Sequence, residues 1–340
     1  MKCLPLCFIL VSLCFAGSQA LNHSTISLKS ISSSSHVTVS GLSAGAFMST
    51  QFHVAYSKTI KGMGSFSGGP YFCSNSNVVT ATTSCMTSPY LISVTELIGA
   101  TTYARTLLSI DSTSNLKSAK VYIYSPKDDS TVVQGVSKKL HTYYEHYVGK
   151  NNIKTVFGNR GEHAFPTDNY GSSCLLNQSP YINNCDYDGA KDVLQWLIGG
   201  LPSSRAEFND SNLYYFSQSS FMPGGVSTAS LSFAPNGMVY VPSQCKNNKK
   251  CKLHVVFHGC HQGMTELGET FVRHTGYCQW GEAAGIILLF PQIQKSSVVP
   301  YNPKGCWDWF GYTGPSFACK LGPQMQAVRS MVESITGNRM

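Results

Sequence analysis

A serine, a histidine and two neighbouring aspartates stand at positions where hydrolytic chemistry could use them. Gly41-Leu-Ser-Ala-Gly45 carries the Gly-x-Ser-x-Gly pattern, between a β-rich run, Val37-Thr-Val-Ser40, and a helix predicted over 44–58. A sharp strand-to-helix turn strains the nucleophile's backbone and crowds its neighbours, so the flanking residues must be small. Such a turn would lift the Ser43 hydroxyl out of a sheet. It would also place the Ala44 amide at a helix N-terminus, where it can donate to an oxyanion. The pentapeptide alone is a weak signal, and its strand–turn–helix setting carries the reading.

A serine needs a base, and the base needs an orienting carboxylate. Asp128 and Asp129 follow a strand predicted over 120–125, and His163 follows one predicted over 154–157. This is the order serine, aspartate, histidine of the α/β-hydrolases. Either aspartate could instead be a turn residue of Pro126-Lys-Asp-Asp-Ser130, and His163 a surface-loop histidine. Their joint order makes them a candidate triad.

A second signal is Val255-Val-Phe-His-Gly-Cys-His261. A strand followed by His-Gly resembles the oxyanion loop of lipases and esterases, where the glycine lets the backbone turn an amide towards the carbonyl oxygen. Cys260 would supply that amide. A rival reading takes His258, Cys260 and His261 as metal ligands. No carboxylate-rich motif accompanies them, and cysteine in a secreted chain tends to pair, so no metal is expected.

The elements that must hold these residues read as α/β with a largely parallel sheet. Further strands are predicted over 213–216, 238–241 and 253–257. The apolar run 286–290, bounded by Gly285 and Pro291, suits a buried parallel strand. A helix over 188–198 puts Ala190, Val193, Leu194 and Leu197 on one face, and one over 324–335 turns Met325, Val328, Val332 and Ile335 inward. The His-Gly loop follows the nucleophile, whereas the usual hydrolase has it first. Reading the segments cyclically from Leu213 restores the usual sequence, so a circularly permuted α/β-hydrolase is expected, with helices on both faces. Closely placed termini make permutation tolerable.

Residues 1–20 read as an export signal: Lys2, an apolar run from Cys3 to Phe15, then Ala16-Gly-Ser-Gln-Ala20. The apolar run is too short to span a bilayer. The expectation is a secreted, extracellular protein with one catalytic domain over 21–340 and no membrane partner. Of the 13 cysteines, Cys3, Cys7 and Cys14 would leave with the signal, and the even remainder suggests disulfides. Asn22, Asn177 and Asn209 open glycosylation sequons, the second followed by Pro180. The formal charge of +8 gathers partly around Lys246, Lys249, Lys250 and Lys252. No aromatic residues interleave there, which argues for a solvated loop and against nucleic-acid binding.

These motifs together resemble the extracellular poly(3-hydroxybutyrate) depolymerases of the single-domain, circularly permuted type. The resemblance rests on residues 39–45, Ser67-Gly-Gly-Pro-Tyr-Phe-Cys73, Asp129-Ser-Thr-Val132 and His163-Ala-Phe-Pro-Thr-Asp168. It continues through residues 179–190, His258-Gly-Cys-His-Gln262 and Gly305-Cys-Trp-Asp-Trp309. It implies a triad of Ser43, Asp129 and His163, with Asp129 preferred over Asp128, and oxyanion amides from Ala44 and Cys260. It further implies a substrate-facing Trp307, a short-chain polyester substrate, and no metal or organic cofactor. Larger bacterial relatives append polymer-binding domains. Here a solid polymer would have to meet the domain's own surface aromatics, and a monomer is expected.

Local spacing and the family pattern together imply the bridges Cys73–Cys85, Cys174–Cys185 and Cys245–Cys251, and the family pattern implies Cys260–Cys306. Cys278 and Cys319 depart from that pattern and, in an oxidising compartment, are expected to pair with each other. Two rival functions are open to this sequence. A carbohydrate esterase releasing acetyl or feruloyl groups would use the same triad. A secreted binding protein on a dead hydrolase fold would be expected to have lost at least one of these residues.

Overall fold

The computed structural model describes residues 24–246 and 249–340. The expected export signal and the Asn22 sequon lie outside the described residues. The chain forms β1 (Ser33–Leu42), β2 (Ile60–Phe66), β3 (Lys120–Tyr124) and β4 (Ile153–Val156). A small separate sheet follows, made of β5 (Phe165–Thr167), β6 (Ser172–Ser173) and β7 (Ile182–Asn184). Then come β8 (Leu213–Ser217), β9 (Asn236–Tyr240), β10 (Cys251–Phe257) and β11 (Ile286–Phe290). The main sheet has the order β4-β3-β2-β1-β10-β11-β9-β8. Six neighbouring strands, β4 to β11, run parallel, and β9 and β8 pair antiparallel at one edge.

The first strand of the chain therefore lies at the centre of the sheet, with the last strands stacked along one side of it. Its neighbour β10 pairs Gly41 with Phe257, so both strands end level. The turn at Ser43 and the loop at His258 leave the same edge side by side. Asp129 and His163 follow β3 and β4 and reach that edge too. Loops beyond the carboxyl ends of parallel strands are where α/β sheets place their sites.

Helices cover both faces of the sheet. On one side Phe47, Met48 and Phe52 of the helix Ala44–Ala55 pack with Met325, Val328 and Val332 of the helix Pro323–Thr336. On the other, Ala190, Val193, Leu194 and Leu197 of the helix Gly189–Leu197 pack with Tyr277 and Trp280 of the helix Tyr277–Ala284. Both helix faces expected from periodicity are buried. The strand β2 was not expected. Its sequence, Ile60-Lys-Gly-Met-Gly-Ser-Phe66, is glycine-rich because the helix lies close above it. A Cβ on Gly64 would come within 2.5 Å of Val193 Cγ2, and one on Gly62 within 3.1 Å of Leu197 Cδ2.

The bridges Cys73–Cys85, Cys174–Cys185, Cys245–Cys251 and Cys260–Cys306 are formed. The expected Cys278–Cys319 bridge is not: both residues are free thiols. Cys278 is a buried residue of the helix Tyr277–Ala284, in the core on one face of the sheet, whereas Cys319 follows Phe317 and Ala318, which lie in the core of the opposite face. The sheet stands between them, and a disulfide needs Cα atoms within about 7 Å. Alkylation without reductant should label Cys278 and Cys319 and no other cysteine among the described residues, with Cys278 reacting only after unfolding. A Cys278–Cys319 peptide in a non-reducing digest would contradict this arrangement.

Among the described residues, three histidines are fully buried and held neutral. His254 on β10 hydrogen-bonds Thr38 Oγ1 through Nδ1 and Ser40 Oγ through Nε2, each at 2.7 Å, tying the two central strands together. Burial pulls His254 and His53 down to about 3 and His258 to about 4. Once unfolded, each takes a proton near the ordinary value of 6.5 that it refuses in the fold. Stability is thus fully present above pH 6.5 and is lost as pH falls towards 4, by about 1.4 kcal/mol per pH unit per histidine. Denaturant unfolding at pH 7 and pH 5 should show a drop of several kcal/mol; equal stability at both would contradict it.

Candidate active site

Ser43 sits between β1 and the helix Ala44–Ala55 with φ 57° and ψ −123°, a left-handed conformation that a non-glycine residue adopts only under constraint. Its amide donates to Phe66 O at 2.9 Å, and its carbonyl accepts from Ala46 and Phe47. The two flanking glycines are needed for contact. A Cβ on Gly41 would lie 2.4 Å from Gly45 O, and one on Gly45 would lie 2.3 Å from Phe257 O. The elbow, the helix and the end of β10 therefore touch backbone to backbone.

His163 Nδ1 meets both carboxylate oxygens of Asp129, at 2.9 and 3.1 Å. Both side chains are nearly excluded from solvent. Asp129 Oδ1 also accepts the amides of Thr131 and Val132, at 3.0 and 2.8 Å, which fix the carboxylate. Asp128 turns the other way. It forms a two-pronged pair with Arg160 and accepts the Gly161 amide, and the guanidinium holds its carboxyl below the usual range. The structure thus brings Asp129, and not Asp128, to His163. Ser43 and His163 line one crevice without a direct hydrogen bond between them. Such contacts are commonly loose before substrate binds.

Ala44 and Cys260 also line this crevice, and the backbone amide of neither has an acceptor among the described residues. The first opens its helix and so has no partner within it. The second is aimed by His258. The buried ring of His258 donates from Nδ1 to Gly259 O at 2.7 Å, and its Nε2 accepts from Ile293 N at 3.1 Å. A trans peptide sets its N–H opposite its C=O. Holding the Gly259 carbonyl inward therefore turns the Cys260 N–H outward. Gln262 takes the Gly259 amide and donates to the carbonyls of Pro180 and Tyr181, while the Cys260–Cys306 bridge ties the loop to the segment before Trp307. His258 and Cys260 are thus both committed within the fold.

The crevice holds about 400 Å³, and its walls are largely apolar, with Leu42, Phe47, Val132, Tyr181, Trp309 and Phe310 among them. No family model matches the chain. It is 37% identical over 331 residues to a poly(3-hydroxybutyrate) depolymerase of Delftia acidovorans, covering 96% of this chain and 64% of that one. It therefore spans less than two thirds of that relative's length. It is 35% identical over 314 residues to a polyhydroxybutyrate depolymerase of Talaromyces funiculosus, covering 88% of this chain and 89% of that one. The chain belongs to the polyhydroxybutyrate depolymerase family. Two solved structures of depolymerases share its fold. One is from Penicillium funiculosum, with a TM-score of 0.81, 31% identity and coverage of 93% of this chain and all of that one. The other is a serine-to-alanine variant complexed with an R3HB trimer, with a TM-score of 0.82 and the same identity and coverage.

One residue that the depolymerase resemblance implied is placed elsewhere. Trp307 was expected to face substrate, yet it is fully buried, edge-on to Phe257 at 5.0 Å and to Phe233 at 5.8 Å. The tryptophan in the wall is Trp309, stacked on Phe47 with ring centroids 4.5 Å apart. The buried Asp308 between them explains the exchange. Its carboxylate gathers the amides of Gly311, Tyr312 and Thr313 and the Thr313 hydroxyl, at 2.6 to 3.0 Å. This curls the chain so that residues 309 and 310 return to the crevice. Sequence reasoning also missed Phe47, although its position on the buried face of the helix behind Ser43 was a usable signal.

Proposed function

We propose that this chain is a secreted serine esterase that cleaves poly(3-hydroxybutyrate) and related short-chain polyesters through an acyl-enzyme on Ser43. The observation that carries this reading is that Ser43, His163, Ala44 and Cys260 line one apolar crevice. Ser43 Oγ attacks the ester carbonyl as His163 Nε2 takes its proton, while Asp129 holds the other ring nitrogen and stabilises the imidazolium. The carbonyl oxygen becomes an oxyanion between the two amides. The C–O bond breaks, and the leaving alkoxide receives the proton back from His163. Water then adds to the acyl-serine by the same route and releases the acid.

An ester of small aliphatic units suits walls of Leu42, Phe47, Val132 and Trp309, and the relative that binds an R3HB trimer supports this substrate class. At the mouth, Val78 and Tyr301 are 54% and 68% exposed, a rim on which an apolar polymer could rest. We infer export through residues 1–20, action as a monomer, and a fold that is a circular permutation of the usual hydrolase. The antiparallel edge strands and the strand before His258, all later in the chain than the strand before Ser43, support the permutation. Among the described residues, no helix is long and apolar enough to cross a membrane. The sequon at Asn209 is a candidate glycan site; that at Asn177 lies in the crevice wall.

Parallel digestion of amorphous polyhydroxybutyrate, acetylated xylan and feruloylated arabinoxylan tests the substrate. Hydroxybutyrate and its short oligomers should appear from the first. Release of acetate or ferulate from the other two, with no hydroxybutyrate, would make the protein a carbohydrate esterase.

A further inference from the structure

We propose that Lys304 recognises a free carboxylate at the end of a short oligoester, so that the crevice prefers acid-ended chains. This inference rests on the polyester reading above. Lys304 lines the crevice together with Ser43, His163 and Cys260. Its backbone is fixed against the oxyanion loop: Lys304 O accepts the His261 amide at 2.8 Å, and the Cys260–Cys306 bridge closes two residues further on. The buried Asn302 side chain clamps both backbone groups of Cys306 at 2.9 Å. The side chain of Lys304, by contrast, is exposed.

The neighbouring charges leave this ammonium uncompensated. A carboxylate beside this loop, Glu266, whose Oε1 would lie 3.2 Å from a Cβ on Gly305, is already occupied by Lys295 at 2.7 Å and by His261 Nδ1 at 3.1 Å. Asp129 is buried against His163. Lys304 has no carboxylate partner among the described residues. A neutral polyester gives an exposed cation nothing to do, but every cut of an ester leaves one fragment ending in a carboxylate. An unpaired ammonium beside an apolar wall draws that end inward and holds it. It would set which end of a soluble oligomer enters, without taking part in bond breaking.

The test uses the soluble hydroxybutyrate trimer as the free acid and as its methyl ester. It compares kcat/KM for each with the wild type, Lys304→Met and Lys304→Glu. The acid-over-ester preference should fall about threefold in Lys304→Met, a magnitude suited to a solvent-exposed ion pair, and further in Lys304→Glu, where repulsion replaces attraction. The change should lie in KM and not in kcat. Raising the salt concentration should shrink the wild-type preference towards that of Lys304→Met. An unchanged preference in both variants, with both trimers cleaved, would overturn the role of Lys304 alone. Failure of the wild type to cleave either trimer would overturn the polyester reading, and this inference with it.

Discussion

Ser43→Ala should abolish ester hydrolysis while leaving a folded protein. The hydroxyl contributes no hydrogen bond to the fold, and the backbone contacts that hold the elbow, from Ser43 N to Phe66 O and from Ala46 N to Ser43 O, do not involve the side chain. Loss of a triad nucleophile lowers turnover on the order of 10⁶-fold in well-studied serine hydrolases. What survives should come from the amides of Ala44 and Cys260, which still polarise a bound carbonyl for attack by water. Turnover of p-nitrophenyl butyrate and an unfolding curve, measured on the same preparation, check both halves of the expectation. A variant that keeps a substantial part of wild-type turnover would remove Ser43 from the mechanism.

The second large effect separates two adjacent carboxylates. Asp129→Asn should lower turnover by roughly 10⁴-fold, because an amide in place of the carboxylate favours the wrong histidine tautomer and cannot stabilise the imidazolium. The amides of Thr131 and Val132 can still find the carbonyl oxygen of the substituted side chain, so the local turn should survive. Asp128→Asn removes an ion pair with Arg160, whose side chain is 68% exposed, and should alter turnover only a few-fold. Steady-state kinetics on the two variants decides between them. The reverse ranking would mean that Asp128, not Asp129, serves the histidine.

The loops of the candidate site were legible in the sequence because their turns are local. A turn that needs Gly41 and Gly45 announces itself in five residues, and His258-Gly259 follows its strand directly. The parallel core was legible for a similar reason: strands covered on both faces, such as Ile286–Phe290, read as unbroken apolar runs. What stayed hidden depends on neighbours far along the chain. The glycines of β2 are explained only by Val193 and Leu197 lying over them. Trp307 and Trp309 are two residues apart in one loop, and only the turn gathered by Asp308 decides which reaches the crevice. Cys278 and Cys319 looked like partners by elimination, yet no one-dimensional pattern says on which face of the sheet a helix will pack.

The most direct measurement is labelling with a serine-directed phosphonate, with polyester hydrolysis followed in the same sample. The account predicts a single adduct on the peptide containing Ser43. It should form in step with the loss of hydroxybutyrate release and be slowed by prior addition of the hydroxybutyrate trimer. An enzyme fully labelled at Ser43 that still degrades the polymer, or one inactivated by an adduct elsewhere, would contradict it.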